Sequence, residues 1–290
     1  MSSQVEANFP VDTEGRTYHV GTKSGQVANR IITVGDPHRA RKIAEYLDEI
    51  YFECTSKRGF LTITGSYKGT PISIIAIGMG AAMMDFFVRE TRHVVHGELV
   101  IFRFGSCGSI NNAPIGSMVV ATESTFIYKN YHQYYAASKS GYEFAPVLRA
   151  TKECSDLLFN ELKSQLRHVE IHKGLCATAD SFYSSQGRIG SEFKDKNENV
   201  ISELVIQHPT AEILEMEVYP LYHLADISSD KSIKVIAAAM VFADRKRNTF
   251  LPVENASALE CEASKAFLEA IIKVDIAEPH LEQPVWKLPK

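Results

Sequence analysis

The feature that most limits what this chain can become is a series of short apolar runs. They are "RIITVG" (30–35), "PISIIAIG" (71–78), "ELVIFRFG" (98–105), "SMVVAT" (117–122), "EILEME" (212–217) and "IKVIAAAMVFA" (233–243). Some are apolar nearly throughout, as in strands covered on both faces. Helical signals lie between them. Residues 37–48 open with Pro37 at a first-turn position, and 80–96 and 150–166 follow. Residues 254–273 set Leu259, Ala263, Ala266, Phe267 and Ile271 near one face. Strands alternating with helices predict an α/β fold, a sheet packed between helices. No repeat, linker or low-complexity stretch divides residues 1–290, so a single domain is expected. It would carry an N-terminal extension (1–16) and an extended, proline-bearing C-terminal arm (276–290). The polar, aromatic stretch 128–142 reads as a mobile loop.

A formal net charge of −4 gives no global attraction for nucleic acid or an anionic membrane, so any anion site must be local. The longest apolar run is too short to span a bilayer, and the N-terminus has no apolar signal region. The 5 cysteines are odd in number, widely spaced and without a CxxC pair, which reads as reduced thiols in a cytoplasmic protein. The 10 histidines show no metal-ligand spacing, and the pair in "RHVVH" (92–96) reads as an ordinary helix face, so no metal is expected.

Five stretches carry chemistry, the first four beside a blander reading. In "VGDPHRARK" (34–42), Gly35 turns a strand into a helix where backbone N–H groups and Arg39 could meet an anion. A solvated arginine after a plain turn is the alternative. In "IFRFGSCGSI" (101–110), Arg103 stands inside an apolar strand, and Ser106 and Gly108 follow in a turn of small residues. A buried arginine needs a partner, either a carboxylate of the protein or a bound anion. In "EILEMEVYP" (212–220), strand alternation would put Glu215 and Glu217 on one face and Met216 on the other. A carboxylate there could grip a sugar diol, or the run could be a polar strand edge. "MVFADRKRN" (240–248) ends a strand with Asp244 and Arg245, at the end where open α/β sheets place ligands; a solvated basic cluster with Lys246 and Arg247 is the alternative. "FYSSQGR" (182–188) adds a ring at Phe182, an amide at Gln186 and a guanidinium at Arg188, the groups needed to hold a flat heterocycle by face and edge.

In order, "HVG" (19–21), "GDPHR" (35–39), "KRGF" (57–60), "FRFGSCGSI" (102–110), "DSFYSSQGR" (180–188), "EMEV" (215–218) and "FADR" (242–245) resemble the nucleoside phosphorylase family, in particular its uridine-cleaving branch. The resemblance implies a mixed central β-sheet, partly barrel-like, flanked by helices. It implies reversible phosphorolysis of uridine to uracil and ribose 1-phosphate in pyrimidine salvage, with inorganic phosphate as co-substrate and no other cofactor; a purine or broad-specificity phosphorylase is the alternative, ahead of a nucleosidase or a non-catalytic nucleoside-binding relative. It places phosphate on Gly35, Arg39, Arg103 and Ser106, with Arg58 from a neighbouring subunit. Ribose falls to Met216 and Glu217, with His19 from the neighbour, and the base to Phe182, Gln186 and Arg188, with Gly108 and Arg245 nearby. Arg103, Arg188 and Glu217 would carry the catalysis, and a homodimer, alone or within a hexamer, would be the minimum active unit. Three departures accompany the resemblance. Cys107 stands where uridine-cleaving members usually have a hydroxyl residue. Asp244 falls where pyrimidine-cleaving members tend to have a neutral residue, in a region where the purine-cleaving branch uses an aspartate to protonate the leaving base. Gly59 replaces a carboxylate that helps bind a monovalent cation in bacterial members.

Overall fold

The computed structural model describes residues 7–136, 141–229, 232–277 and 284–287. The chain begins with β1 (Arg30–Val34), α1 (Pro37–Ala44), β2 (Glu49–Thr55), β3 (Leu61–Tyr67), β4 (Thr70–Ala76) and α2 (Ala81–Val94). Two long strands follow, β5 (Leu99–Ser109) and β6 (Met118–Lys129), then α3 (Tyr131–Tyr135), β7 (Tyr142–Phe144), β8 (Leu148–Arg149) and α4 (Lys152–Gln165). The remainder is β9 (Ile171–Ala179), α5 (Val200–Gln207), β10 (Ala211–Glu215), α6 (Val218–Asp226), β11 (Ile233–Asp244), β12 (Thr249–Phe250) and α7 (Val253–Ile272).

The strands form one mixed sheet, and β5 is its hub. It pairs in parallel with β11 over its whole length, which occupies one of its edges. Its other edge takes β1 in parallel as far as Arg103, and β10 in antiparallel at Gly108 and Ser109. Since β11 also pairs β6, β6 pairs β9 and β9 pairs β10, these strands close into a ring with β5. From β1 the sheet continues outward through β4, β3 and β2. The expected α/β fold with a partly barrel-like sheet is therefore the observed one.

The apolar runs explain the layers. Along β5, Val100, Phe102 and Phe104 pack with apolar residues of α1, α4 and α7, while Leu99 and Ile101 pack with α2 and α6. Both faces are covered, which is why the run lacks alternation. Phe267 of α7 stacks on Phe104 at 4.5 Å between ring centroids. On the opposite side, the Tyr222 hydroxyl of α6 donates to the Ala121 carbonyl of β6 and accepts from the Ala237 N–H of β11.

The four expected helices are present with ends moved by a few residues. Other expectations need correction. The stretch 128–142 is not simply a loop: β6 runs on to Lys129, α3 follows, and β7 pairs back on β6, with 137–140 outside the described residues. The run "EILEME" stops being a strand at Glu215, and Glu217 is the N-cap of α6, so strand alternation does not relate the two glutamates. In the C-terminal arm, Val285–Lys287 form a single 3₁₀ turn with Val285 N–H on the Gly25 carbonyl, while 278–283 and 288–290 lie outside the described residues. The hairpin strands β2 and β3, the strand β9 and the helices α5 and α6 carried no clear sequence signal. In β2 and β9, exposed and half-buried residues interrupt the apolar pattern.

Because the Tyr222 hydroxyl bridges two strands of the ring, Tyr222→Phe leaves a buried N–H and a buried C=O without their partner. A loss of about 1–3 kcal/mol is expected. Urea unfolding of the variant against the parent checks this; equal midpoints would mean that the ring does not depend on the bridge.

Candidate active site

The site is a gap along one edge of β5. Strand β1 leaves this edge after Arg103, and β10 does not join it until Gly108. Because β1 is parallel and β10 antiparallel to β5, the C-terminal ends of both point into the gap. A cavity of about 480 Å³ opens there, lined by Gly35, Arg103, Ser106, Gly108, Met216 and Glu217 among others. That volume suits a small-molecule ligand, and the position, at strand C-termini where neighbouring strands part, is the general one for open α/β sheets.

Arg103 lies at the bottom of the gap with 4% of its surface exposed. Its Nη2 donates to Glu217 Oε2 at 2.9 Å, while its Nε and Nη1 are buried without a partner. The carboxylate partner of the sequence reading is thus Glu217, and it leaves two Arg103 nitrogens without a protein acceptor. Arg39, on α1, approaches from the side of α7. Its Nε donates to Glu260 Oε1 at 2.9 Å and its Nη1 to the Phe104 carbonyl at 3.3 Å. Burial holds this guanidinium below the usual arginine value; Glu260 opposes the shift and the charge of Arg103 adds to it. The α1 N-terminus itself is already capped, since the Asp36 carboxylate accepts from His38 N–H. Gly35 is needed for room: a Cβ there would stand 3.2 Å from the Gly78 carbonyl and 3.6 Å from Arg103 Nη2.

Beside Arg103, the other oxygen of Glu217 accepts from Gly80 N–H at 2.6 Å, so one carboxylate joins β5, the start of α2 and the start of α6. Behind it, Glu215 accepts from the N–H groups of Glu217 and Val218 and from the Thr178 hydroxyl. Burial and the neighbouring charge of Glu217 raise its pKa. Glu215 thus fixes the backbone that carries Met216 and Glu217.

The opposite end of the cavity is formed by the 182–188 loop. Gln186 is 3% exposed and lines the cavity together with Phe182 and Arg188. Arg188 Cζ lies 4.0 Å from the centroid of the Phe182 ring, and its Nε donates to the Phe182 carbonyl, so the guanidinium covers one face of that ring. Arg245 lies behind the loop. Its Nη2 donates to the Gln186 carbonyl at 3.1 Å, and its Nη1 is buried without a partner. Burial and the charge of Arg188 lower its pKa to about 10. Gly108 makes the room for it, since a Cβ there would meet Arg245 Cγ at 3.1 Å. Asn197 holds the loop by donating to the carbonyls of Ser184 and Arg188.

Of the residues singled out in the sequence, Gly35, Arg39, Arg103, Ser106, Gly108, Phe182, Gln186, Arg188, Met216 and Glu217 meet at this cavity. His19 and Arg58 are not among its lining residues; they sit together elsewhere, with Arg58 Nη2 on the Tyr18 hydroxyl and His19 Nδ1 2.6 Å from Glu90. The Cys107 thiol is buried and donates to the Met240 carbonyl, and burial raises its pKa well above the usual value, with the charge of Glu215 adding to the shift. Cys107 also lines the cavity, but a thiol held in this form is a poor nucleophile. Sequence reasoning missed Gly80, Met79, Phe242, Phe250 and Glu260. Only Glu260 had a readable signal, a carboxylate on the buried face of an otherwise apolar helix stripe.

This geometry has relatives. Residues 29–273 match the family model of the phosphorylase superfamily, and the chain belongs to that family. It is 32% identical over 249 residues to a uridine phosphorylase of Thermococcus kodakarensis, covering 85% of this chain and 84% of that one. A DeoD-type purine nucleoside phosphorylase of Bacillus subtilis is 33% identical over 180 residues, 59% of this chain and 70% of its own. Among solved structures, a uridine phosphorylase of the oomycete Phytophthora capsici superposes with a TM-score of 0.91 at 35% identity, covering 94% of this chain and all (100%) of that one. A Trypanosoma brucei nucleoside phosphorylase, at 23% identity and TM-score 0.77, shares the fold.

Asp244 bears on the choice between these relatives. Its Oδ1 accepts from the N–H groups of Lys246 and Arg247, which close a turn after β11. The Arg247 N–H bond is the largest cause holding its pKa below the usual aspartate value. A folded-state pKa below the unfolded one means that this contribution to stability is present above pH ~3.9 and is lost as pH falls through the lower folded value. A carboxyl titration of Asp244 followed by NMR is expected to have its midpoint below that of a free aspartate. A midpoint above pH ~5 would restore it as a candidate proton donor.

Proposed function

We propose that the protein catalyses the reversible phosphorolysis of uridine, giving uracil and ribose 1-phosphate. The observation that carries this reading is one cavity with a guanidinium holding unspent buried donors at one end, Arg103, and an amide–guanidinium loop, Gln186 and Arg188, at the other. Phosphate on Arg103, Arg39, Gly35 and Ser106 would place an oxygen under C1′ of the nucleoside. A C–O bond forms at C1′ as the C1′–N1 bond breaks, and the bonding electrons leave with the base. Positive charge builds on the sugar, next to the phosphate and Glu217. Negative charge builds on the uracil carbonyls, next to Arg188 and Gln186, and the proton that hydrogen phosphate gives up on becoming the ester reaches the base through solvent. This is stabilisation of developing charge with proximity added, without a dedicated proton donor. Arg245, with its unpaired donor, reinforces the positive end.

The identity to uridine phosphorylases over most of the chain supports this substrate. Purine cleavage is the second reading, favoured by the DeoD-type relatives. The Asp244 carboxylate, engaged in its turn, speaks against it. A role in pyrimidine salvage in the cytoplasm completes the proposal. Among the described residues no helix is long and apolar enough to cross a membrane.

Ultraviolet assays of uridine, thymidine, inosine and adenosine, each with and without phosphate, test the reading. Uridine cleavage that requires phosphate is the expected result. Inosine cleavage exceeding that of uridine would replace it with the purine reading.

The assembly is part of the proposal. His19 and Arg58 would complete the cavity of a neighbouring subunit in a two-fold dimer, either alone or as a unit of a hexamer. Arg58→Ala and Glu217→Ala chains, each inactive alone, would then recover about a quarter of parental activity when refolded as a mixture. The estimate assumes random pairing, with about half the dimers mixed and one sound site in each. No recovery, with mixed dimers detected by mass, would mean that Arg58 serves its own subunit.

A further inference from the structure

Glu260 lies on α7, outside every motif of the cavity, and does not line it. It is nevertheless the carboxylate that holds Arg39. Both Nε and Nη2 of Arg39 lie 2.9 Å from its Oε1. Its Oε2 takes the Lys42 ammonium at 3.0 Å, and Lys42 is held in turn by the Ser257 hydroxyl at 2.8 Å. Both oxygens are therefore fixed, and the carboxylate cannot swing away from Arg39. The Phe104 carbonyl takes Nη1, and the Phe104 ring lies 5.3 Å from Cζ. A guanidinium has five N–H donors in a rigid plane. Nε and Nη1 each donate to the protein and Nη2 is in ion-pair contact with the same Oε1, so the plane is set while donors on the terminal nitrogens are left over.

Repulsion between Arg39 and Arg103 makes this anchoring necessary. The charge of Arg103 disfavours the charged form of Arg39 and pushes its side chain away when no anion lies between them. Arg103 is restrained by Glu217 and Arg39 by Glu260. Without Glu260, the charge of Arg103 would drive a flexible Arg39 side chain outward, and an incoming anion would have to pay for its return.

We propose that Glu260 is the positioning residue of the phosphate seat: through Arg39 it preorganises anion binding, and it touches neither nucleoside nor phosphate. The inference rests on reading the cavity as a phosphate site. It predicts an effect on phosphate alone. In Glu260→Gln, which keeps the size and an acceptor but loses the charge, KM for phosphate should rise about tenfold. KM for uridine, and kcat at saturating phosphate, should stay within about threefold. A general structural defect would move all three.

The experiment combines steady-state kinetics with calorimetric titration of inorganic phosphate into the parent, Glu260→Gln, Arg39→Ala and the double variant. The cycle is expected to be non-additive: once Arg39 is gone, Glu260→Gln should change phosphate affinity less than twofold, as roughly expected when one residue acts only through the other. Additive losses, an unchanged phosphate KM in Glu260→Gln, or a fall in kcat that saturating phosphate does not restore would each overturn the proposal. If Glu260→Gln does not fold, Glu260→Asp is held to the same phosphate readouts. A parent that binds phosphate but leaves uridine intact would refute the proposed reaction while the cycle still judges Glu260. A parent that binds no phosphate would overturn both.

Discussion

The ion pair between Arg103 and Glu217 is the contact around which the rest of the site is arranged. It joins the middle of β5 to the start of α6, and through Gly80 N–H it reaches the start of α2. An arginine in an apolar strand is tolerable only with such a partner, because removing one member leaves a buried charge uncompensated. Yet the pair does not exhaust the arginine. Two of its nitrogens remain buried and unsatisfied, a cost that a bound anion would offset.

The same logic recurs around the cavity. Arg39 is restrained by Glu260, and Arg245 is spread over Gly108 and tied to the Gln186 backbone. Arg188 is stacked on Phe182. A chain with a formal net charge of −4 thereby concentrates positive charge at both ends of one small cavity. In a gap walled by protein, such charges are screened less than at the surface, so local placement outweighs the global balance. One end suits an anionic reactant that arrives charged. The other suits a leaving group that becomes charged only as its bond breaks, and there fixed donors contribute most.

The sheet makes this possible by leaving part of one β5 edge unpaired. Strands β1 and β10 stop short of each other on that edge, and their ends deliver Gly35 from one side and Glu215, Met216 and Glu217 from the other. The ring formed with β6, β9 and β11 keeps β5 rigid behind the gap. Helix α7 adds Glu260 from the outer layer, which couples that layer to the cavity.

Local patterning in the sequence determined the layered α/β architecture. Runs without alternation, such as Leu99–Phe104, require cover on both faces, and the stripe Leu259–Ile271 supplies part of that cover. Arg103 announced itself because an arginine conflicts with an apolar strand, and Gln186 and Arg188 because they share one short stretch with the Phe182 ring. What lay beyond reach were relations between distant segments. Nothing near residue 260 in sequence tells that its carboxylate meets Arg39, 221 positions away. The end of the β10 strand at Glu215 follows from where the chain must turn to make α6, and not from the alternation of Glu215 and Glu217. The commitment of Asp244 to its own turn is a hydrogen-bond choice made among neighbouring backbone groups. Composition and periodicity act through each residue's own solvation and its near neighbours, so they decide which segments are buried. Which charges meet, and which donors stay free, is decided only when the closed sheet brings those segments together.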